Sequence, residues 1–150
     1  MYDLDSYMDV KNIIYIDESK KNEVLEKMVQ LSFDNGKIKD LDRFRTAIFN
    51  REDIMSTGIG LGLAVPHAKL PGIDEFFVTI GILKKPVDWQ SIDDHAVSLV
   101  FMIGGPDNRQ QDYLAILSKL VLFVKNKKRH EGILEASTPE EVIQLFINRS

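Results

Sequence analysis

Two stretches constrain the fold of this chain more than anything else in it: residues 76–83, Phe-Phe-Val-Thr-Ile-Gly-Ile-Leu, and residues 97–103, Val-Ser-Leu-Val-Phe-Met-Ile. Both are rich in β-branched and aromatic residues, and both are apolar almost without interruption. A strand with one wet face alternates between apolar and polar residues; a near-continuous apolar run is buried on both faces. Two such central strands require a sheet covered from either side. Gly104-Gly105-Pro106 breaks the second run.

The rest of the chain supplies the cover. Residues 13–16 are a β-branched run fit for a further strand. Ser19 is placed to cap a helix whose apolar residues Val24, Leu25, Met28, Val29 and Leu31 fall at helical spacing, with Gly36 closing that unit. Asp40 opens a second helix, with Leu41, Phe44, Ala47 and Ile48 on one stripe, running to about Arg51. A long amphipathic helix follows the second apolar run and buries Tyr113, Ile116, Leu117, Leu120, Val121 and Val124. Thr138-Pro139-Glu140-Glu141 is a capping box with proline at the first helical position, leading into Val142, Leu145 and Phe146. Strands and helices are mixed, linkers are short, and no repeat interrupts them. One α/β domain over residues 1–150 is expected, with residues 1–9 as a loosely ordered extension.

Composition excludes several functions. With 150 residues, 44% of them hydrophobic, the chain has enough apolar material for a substantial core. Its formal net charge of −4 argues against nucleic acid as a partner. There is no cysteine, which removes disulfides, thiolate chemistry and cysteine-based zinc sites. No apolar run approaches the ~18 residues of a membrane span, and the acidic start lacks the basic-then-apolar order of a signal peptide. A cytoplasmic domain without direct membrane insertion is expected.

The chemistry concentrates between Ser56 and Lys69. Gly58, Gly60 and Gly62 superficially suggest a phosphate loop, yet no helix opens after them, Pro66 intervenes, and no Gly-Lys-Ser/Thr follows. Pro66 cannot donate to a sheet ladder, so a strand is expected to stop there and present His67 at the sheet edge. Imidazole is neutral near physiological pH and can act as a nucleophile, although a lone histidine beside a proline is more often structural. His67, His95 and His130 lack the spacing of metal ligands, and no metal site is expected. His95 sits in a polar turn, and Trp89 reads as a packing residue. The run from Lys125 to His130 reads as the solvated end of a helix, where positive charge suits the dipole. Asp107 and Asp112 flank the start of the long helix and read as its capping residues.

The whole segment from Arg51 to Lys69, Arg-Glu-Asp-Ile-Met-Ser-Thr-Gly-Ile-Gly-Leu-Gly-Leu-Ala-Val-Pro-His-Ala-Lys, closely resembles the signature of the phosphotransferase-system enzyme IIA domains of the fructose/mannitol/nitrogen-regulatory type. The resemblance runs on through Pro86-Val-Asp-Trp89, residues 97–103, the helix at Tyr113 and the final capping box, covering the chain after about residue 9. It implies a mixed central sheet with helices on both faces. It also implies that His67 accepts a phosphoryl group on Nε2 from the phosphocarrier protein HPr, with no nucleotide, metal or organic cofactor taking part. Nδ1–H would then face a backbone carbonyl. Arg51 matches the arginine that the family places beside the phosphohistidine, and its planar charged fork suits phosphoryl oxygens; a plain helix-terminal role is the alternative. Ser56 and Thr57 would add hydroxyl donors or simply shape the turn.

One departure stands out. Where the family usually opens its helix with a second histidine in a His-Leu-x-x-Leu pattern, this chain has Tyr113-Leu114-Ala115-Ile116-Leu117. A phenol can donate one hydrogen bond to phosphate but does not become cationic. The wording Ser-Thr-Gly-Ile-Gly and the absence of a fused segment favour a stand-alone nitrogen-regulatory module acting on target proteins. The alternatives are a sugar-specific IIA that passes phosphate to a IIB component, and a binding domain that has lost phosphotransfer. Partner recognition is expected at Ile59, Leu61 and Leu63, with acidic contacts from Asp107 and Asp112, since HPr docking surfaces in this family carry basic residues.

Overall fold

The two apolar runs become the paired centre of a six-stranded sheet. In the computed structural model, which describes residues 3–147, β5 (Phe77–Val87) and β6 (Val97–Gly105) lie antiparallel, Ile80 opposite Phe101. β1 (Ile13–Ile16) runs parallel to β5. On the other side, β3 (Leu63–Ala64) and β4 (His67–Lys69) both run parallel to β6, and β2 (Gly58–Gly60) closes the edge antiparallel to β3. The sheet is mixed, as expected.

Alternation along the central strands divides the core into two layers. Val78, Ile80, Ile82, Leu99, Phe101 and Ile103 face three helices, α3 (Gln110–Lys125), α4 (Lys127–Glu135) and α5 (Pro139–Ile147), and pack on Ile116, Leu120, Ile133 and Phe146. Phe77, Leu83, Val100 and Met102 face α1 (Lys21–Asp34) and α2 (Leu41–Ile54), and pack on Leu25, Met28, Phe44 and Ile48. Helices therefore cover both faces of one α/β domain. Among the described residues no helix is long and apolar enough to cross a membrane.

Several local expectations are corrected. The cap position of α1 is Lys20, with no side-chain cap from Ser19, whereas Asp40 does cap α2 by accepting from the Arg43 amide. α2 continues one turn past Arg51 to Ile54. β5 runs through Pro86 because its register with β6 is broken between Ile82 and Val87, which spares the proline a ladder bond. The basic run from Lys125 to His130 straddles two helices: Asn126 accepts from the Arg129 amide and starts α4, so most of those cations occupy a first turn. The cap position of α3 is Arg109, so neither Asp107 nor Asp112 caps it. Glu141 closes its box on the Ser137 amide while Thr138 accepts from Glu141. Residues 1 and 2 lie outside the described residues, but the rest of the expected loose extension is packed: Leu4 is buried in a single 3-10 turn (Leu4–Tyr7), and Tyr7 and Met8 lie against the α3–α5 layer.

Candidate functional site

The glycine-rich segment is a hairpin, not a phosphate loop. Gly60 pairs with Leu63, and the two residues between them, Leu61 and Gly62, both have positive φ, 61° and 72°. Primed two-residue turns demand this conformation because it matches the twist of the flanking strands. Glycine adopts it freely; Leu61 does not, and the Asp93 carboxylate accepts from the Leu61 amide at 3.2 Å to hold it. Gly58 has a different reason. A Cβ there would lie 2.3 Å from Ser91 Oγ, so only glycine lets the 90–92 segment close on the hairpin.

Pro66 interrupts the chain without ending its pairing. Leu63 lies opposite Leu99 and His67 opposite Ile103, an unchanged register, and the Pro66 carbonyl accepts from the Ile103 amide. The strand before Pro66 does stop, β3 ending at Ala64, and His67 opens the next one, β4. His67 and Lys69 leave one face of β4, and Ala68 is buried on the other.

Around His67 the end of α2, the hairpin, the 90–92 segment and the start of α3 enclose a cavity of about 490 Å³. His67, Arg51 and Tyr113 all line it, together with Ser56, Thr57 and Gln90; Met55, Ile59, Ile92 and Leu117 supply an apolar rim. The ring of Tyr113 stands 5.0 Å from that of His67, centroid to centroid, at 42°. His67 Nδ1 is 3.1 Å from the Val65 carbonyl, which can only accept, so Nδ1 carries the proton and Nε2 keeps its lone pair. Burial pushes the His67 imidazole below its usual pKa against the opposing Val65 hydrogen bond, and the cations of Arg51 and Lys69 push the same way. Burial raises the Tyr113 phenol above its ordinary value.

Other expected residues are placed differently. Arg51 lines the cavity, but its Nη1 also donates to the Met55 carbonyl at 2.8 Å, so it closes α2 as well. The Ser56 hydroxyl donates to the Trp89 carbonyl at 2.5 Å, and the Thr57 hydroxyl donates to Glu52. Leu63 is wholly buried in the core and offers no surface to a partner, a correction; Ile59 and Leu61 are 39% and 51% exposed. Asp107 lines a separate concavity with Leu70 and Ile73, and Asp112 is ion-paired with Arg109 at 2.7 Å. His95 is largely exposed beside Asp93, and His130 sits half-buried on α4. Among the described residues no group of three or more metal-ligating side chains is assembled.

A buried network behind the cavity escaped the sequence reading. Glu52 accepts from the Thr57 amide at 3.0 Å and pairs with Lys21 Nζ at 2.6 Å; Trp89, fully buried, donates to Thr57 Oγ1 at 3.3 Å. Lys21 also lies over the Trp89 ring, 5.4 Å from its centroid. The network ties α1, α2 and the 88–91 segment to the loop that carries Ser56 and Thr57. Glu52 follows Arg51 directly, and the only sequence signal was an acidic residue four or five positions before two hydroxyls.

Comparison with known proteins bears on the family and the fold. The family model "Phosphoenolpyruvate-dependent sugar phosphotransferase system, EIIA 2" matches residues 6–149. The chain is 33% identical over 131 residues to the PTS system fructose-specific EIIABC component of Bacillus subtilis, covering 87% of this chain but 21% of that protein. It is 31% identical over 122 residues to the PTS system fructose-specific EIIA component of Haloferax volcanii, covering 81% of this chain and 79% of that one. Among solved structures, the nitrogen regulatory protein IIA-Ntr from Neisseria meningitidis superposes with a TM-score of 0.88 at 25% identity, over 95% of this chain and 98% of that one. The chain spans about one fifth of the length of the Bacillus relative. It belongs to the EIIA 2 family of the phosphoenolpyruvate-dependent sugar phosphotransferase system.

Proposed function

We propose that this protein is a phosphoryl carrier whose acceptor is Nε2 of His67 and whose donor is phosphorylated HPr. The observation that carries the reading is the state of that imidazole: Nδ1 committed to the Val65 carbonyl and Nε2 unprotonated, in a cavity it shares with Arg51. In the transfer the Nε2 lone pair attacks phosphorus, the donor's P–N bond breaks, and its electron pair stays on the donor imidazole. Such a reaction needs in-line placement and charge stabilisation more than acid–base machinery. Arg51 supplies the fixed cation, and Tyr113, whose ring neighbours the imidazole, supplies one hydroxyl donor. Ser56 and Thr57 support the site chiefly by shaping its loop, since their hydroxyls are already engaged. Met55, Ile59, Leu61 and Ile92 form an apolar docking rim, with Asp107 and Asp112 as acidic contacts beyond it.

The onward role we favour is that of a nitrogen-regulatory-type module whose phosphorylation state switches its binding to target proteins. The near-complete superposition on IIA-Ntr supports it. A sugar-specific IIA that hands phosphate to a IIB component is the second reading, supported by the two fructose-specific relatives. Label from phosphoenolpyruvate, passed through enzyme I and HPr, tests the carrier role. It should appear on the native protein and vanish in His67→Ala, while Tyr113→His, which puts there a side chain able to become cationic, should lengthen its lifetime. Onward movement of the label to a fructose-type IIB would favour the sugar reading. No label from a competent HPr would leave a binding domain.

A further inference from the structure

His67 and Lys69 point to the same side of β4, and one ring touches both. The Tyr113 ring lies 5.0 Å from the imidazole, centroid to centroid, and Lys69 Nζ sits 4.4 Å from the Tyr113 centroid. The same ammonium donates to Oε1 of Gln110, the first residue of α3, so it is tethered over the ring rather than free in water. An ammonium on an aromatic face is held by the ring quadrupole, and the attraction strengthens as the cation loses water. It also withdraws electron density from the phenol, which makes the hydroxyl a better donor and a stronger acid. Burial pushes the Lys69 ammonium below its usual pKa, which fits a cation partly removed from solvent. From α2, Arg51 acts on both the Tyr113 phenol and the His67 ring, and Glu52 acts on the His67 ring.

We propose that Lys69 is a positioning residue of the phosphoryl site: seated over Tyr113, it holds the phenol against His67 and strengthens its hydroxyl as a donor to a phosphoryl oxygen. The pair thereby supplies, through a neutral ring, positive character that tyrosine alone does not have. The inference rests on the carrier reading of His67.

Its test uses the full chain as Lys69→Met, Lys69→Arg, Tyr113→Phe and the double variant Lys69→Met/Tyr113→Phe. The first readout needs no phosphate: NMR titration of the His67 ring and the Tyr113 phenol. Removing the cation favours imidazolium over imidazole and disfavours phenolate, so both midpoints should rise in Lys69→Met and return in Lys69→Arg. The second readout is label acceptance from phosphorylated HPr. Lys69→Met should slow it by about three- to tenfold, the scale of a partly desolvated cation–π contact, and Lys69→Arg should recover most of the loss. In Tyr113→Phe the further loss from Lys69→Met should shrink to less than about twofold, because the hydroxyl through which Lys69 acts is gone.

A Lys69→Met protein that titrates and accepts label as the native does would overturn this inference and leave the carrier reading intact. So would an undiminished loss in the Tyr113→Phe background, which would put Lys69 directly on the phosphate. A native protein that takes no label overturns both readings, whatever the titrations show.

Discussion

The imidazole of His67 is oriented by Val65, two residues earlier in the link between β3 and β4: across Pro66, the Val65 carbonyl lies 3.1 Å from Nδ1. The proline holds that carbonyl in place while its own oxygen accepts from Ile103, so the ring's tautomer is set by local backbone rather than by a distant side chain. The arrangement leaves Nε2 with its lone pair, and it is this atom that acid would protonate.

The pH profile follows from this. Burial, Arg51 and Lys69 all hold the His67 pKa below its reference of 6.5, so the ring stays neutral further into acid than a free histidine. Acceptance of label should be level above neutrality and fall on the acid side with a midpoint below 6.5. Arg51→Gln should move that midpoint upward, because one neighbouring cation is lost. Rate against pH, with ¹⁵N shifts of the ring, checks it; a midpoint at or above the free-histidine value would contradict the geometry.

Glu52 is the keystone of the loop behind the site. It accepts from the Thr57 amide and hydroxyl and pairs with Lys21, with only 4% of its side chain exposed. Glu52→Gln removes the charge but keeps the shape, leaving a partly buried ammonium without its counter-ion. It should lower stability by about 2 kcal/mol, below the full cost of splitting a buried pair because Lys21 retains some solvent. Urea unfolding measures the loss, and label acceptance should fall with it as the 55–58 loop loosens. Acceptance unchanged despite the stability loss would show that the network supports only the fold.

The sequence carried the sheet because β5 and β6 are buried on both faces, which leaves the near-continuous apolar runs that mark such strands. It carried α2 because Asp40 caps it locally. What it missed lies where contacts are non-local. Lys21 and Glu52 meet only when α1 and α2 pack, and nothing in their spacing announces a pair. Leu63 shares the two-residue spacing of the exposed Ile59 and Leu61, but it lies past the turn, on β3, and is buried by a pairing with β6 that local sequence does not announce. α4 was hidden because Asn126 both ends one helix and caps the next, within a basic run that suits the end of a helix better than its start. Lys69 was legible as part of a signature, but its contact with Tyr113 needs β4 and α3 side by side.

Electrostatic docking gives a test with opposite signs. Asp112 stands next to Tyr113 in the first turn of α3, with Arg109 paired to it on the outer side. Toward a basic partner, Asp112→Asn should slow acceptance and Arg109→Gln should speed it, each by about two- to threefold at low salt. Asp107, in its separate concavity, should act in the same direction as Asp112 and more weakly. All three effects should fade between about 0.01 and 1 M salt as the screening length shrinks from about 30 to 3 Å. Label acceptance measured across that range decides it: effects that persist at high salt would mean contact rather than steering, and none at low salt would remove the aspartates from the docking face.

Leu61 combines two costs that its place beside the site explains. It is an exposed leucine, and its φ of 61° puts a branched-chain residue where glycine or asparagine belongs. A non-glycine residue held in the left-handed region costs about 1–2 kcal/mol. Leu61→Asn should therefore raise stability by about 1 kcal/mol, since asparagine tolerates that conformation and the Asp93 bond to the backbone amide is unaffected. If the side chain is part of the docking rim, the same substitution should weaken HPr docking. It would raise the HPr concentration needed for half-maximal labelling while leaving the saturated rate unchanged. Unfolding curves and a concentration series on one variant read both quantities. A stabilised protein that docks as the native does would mean that the turn, and not the partner, accounts for the leucine.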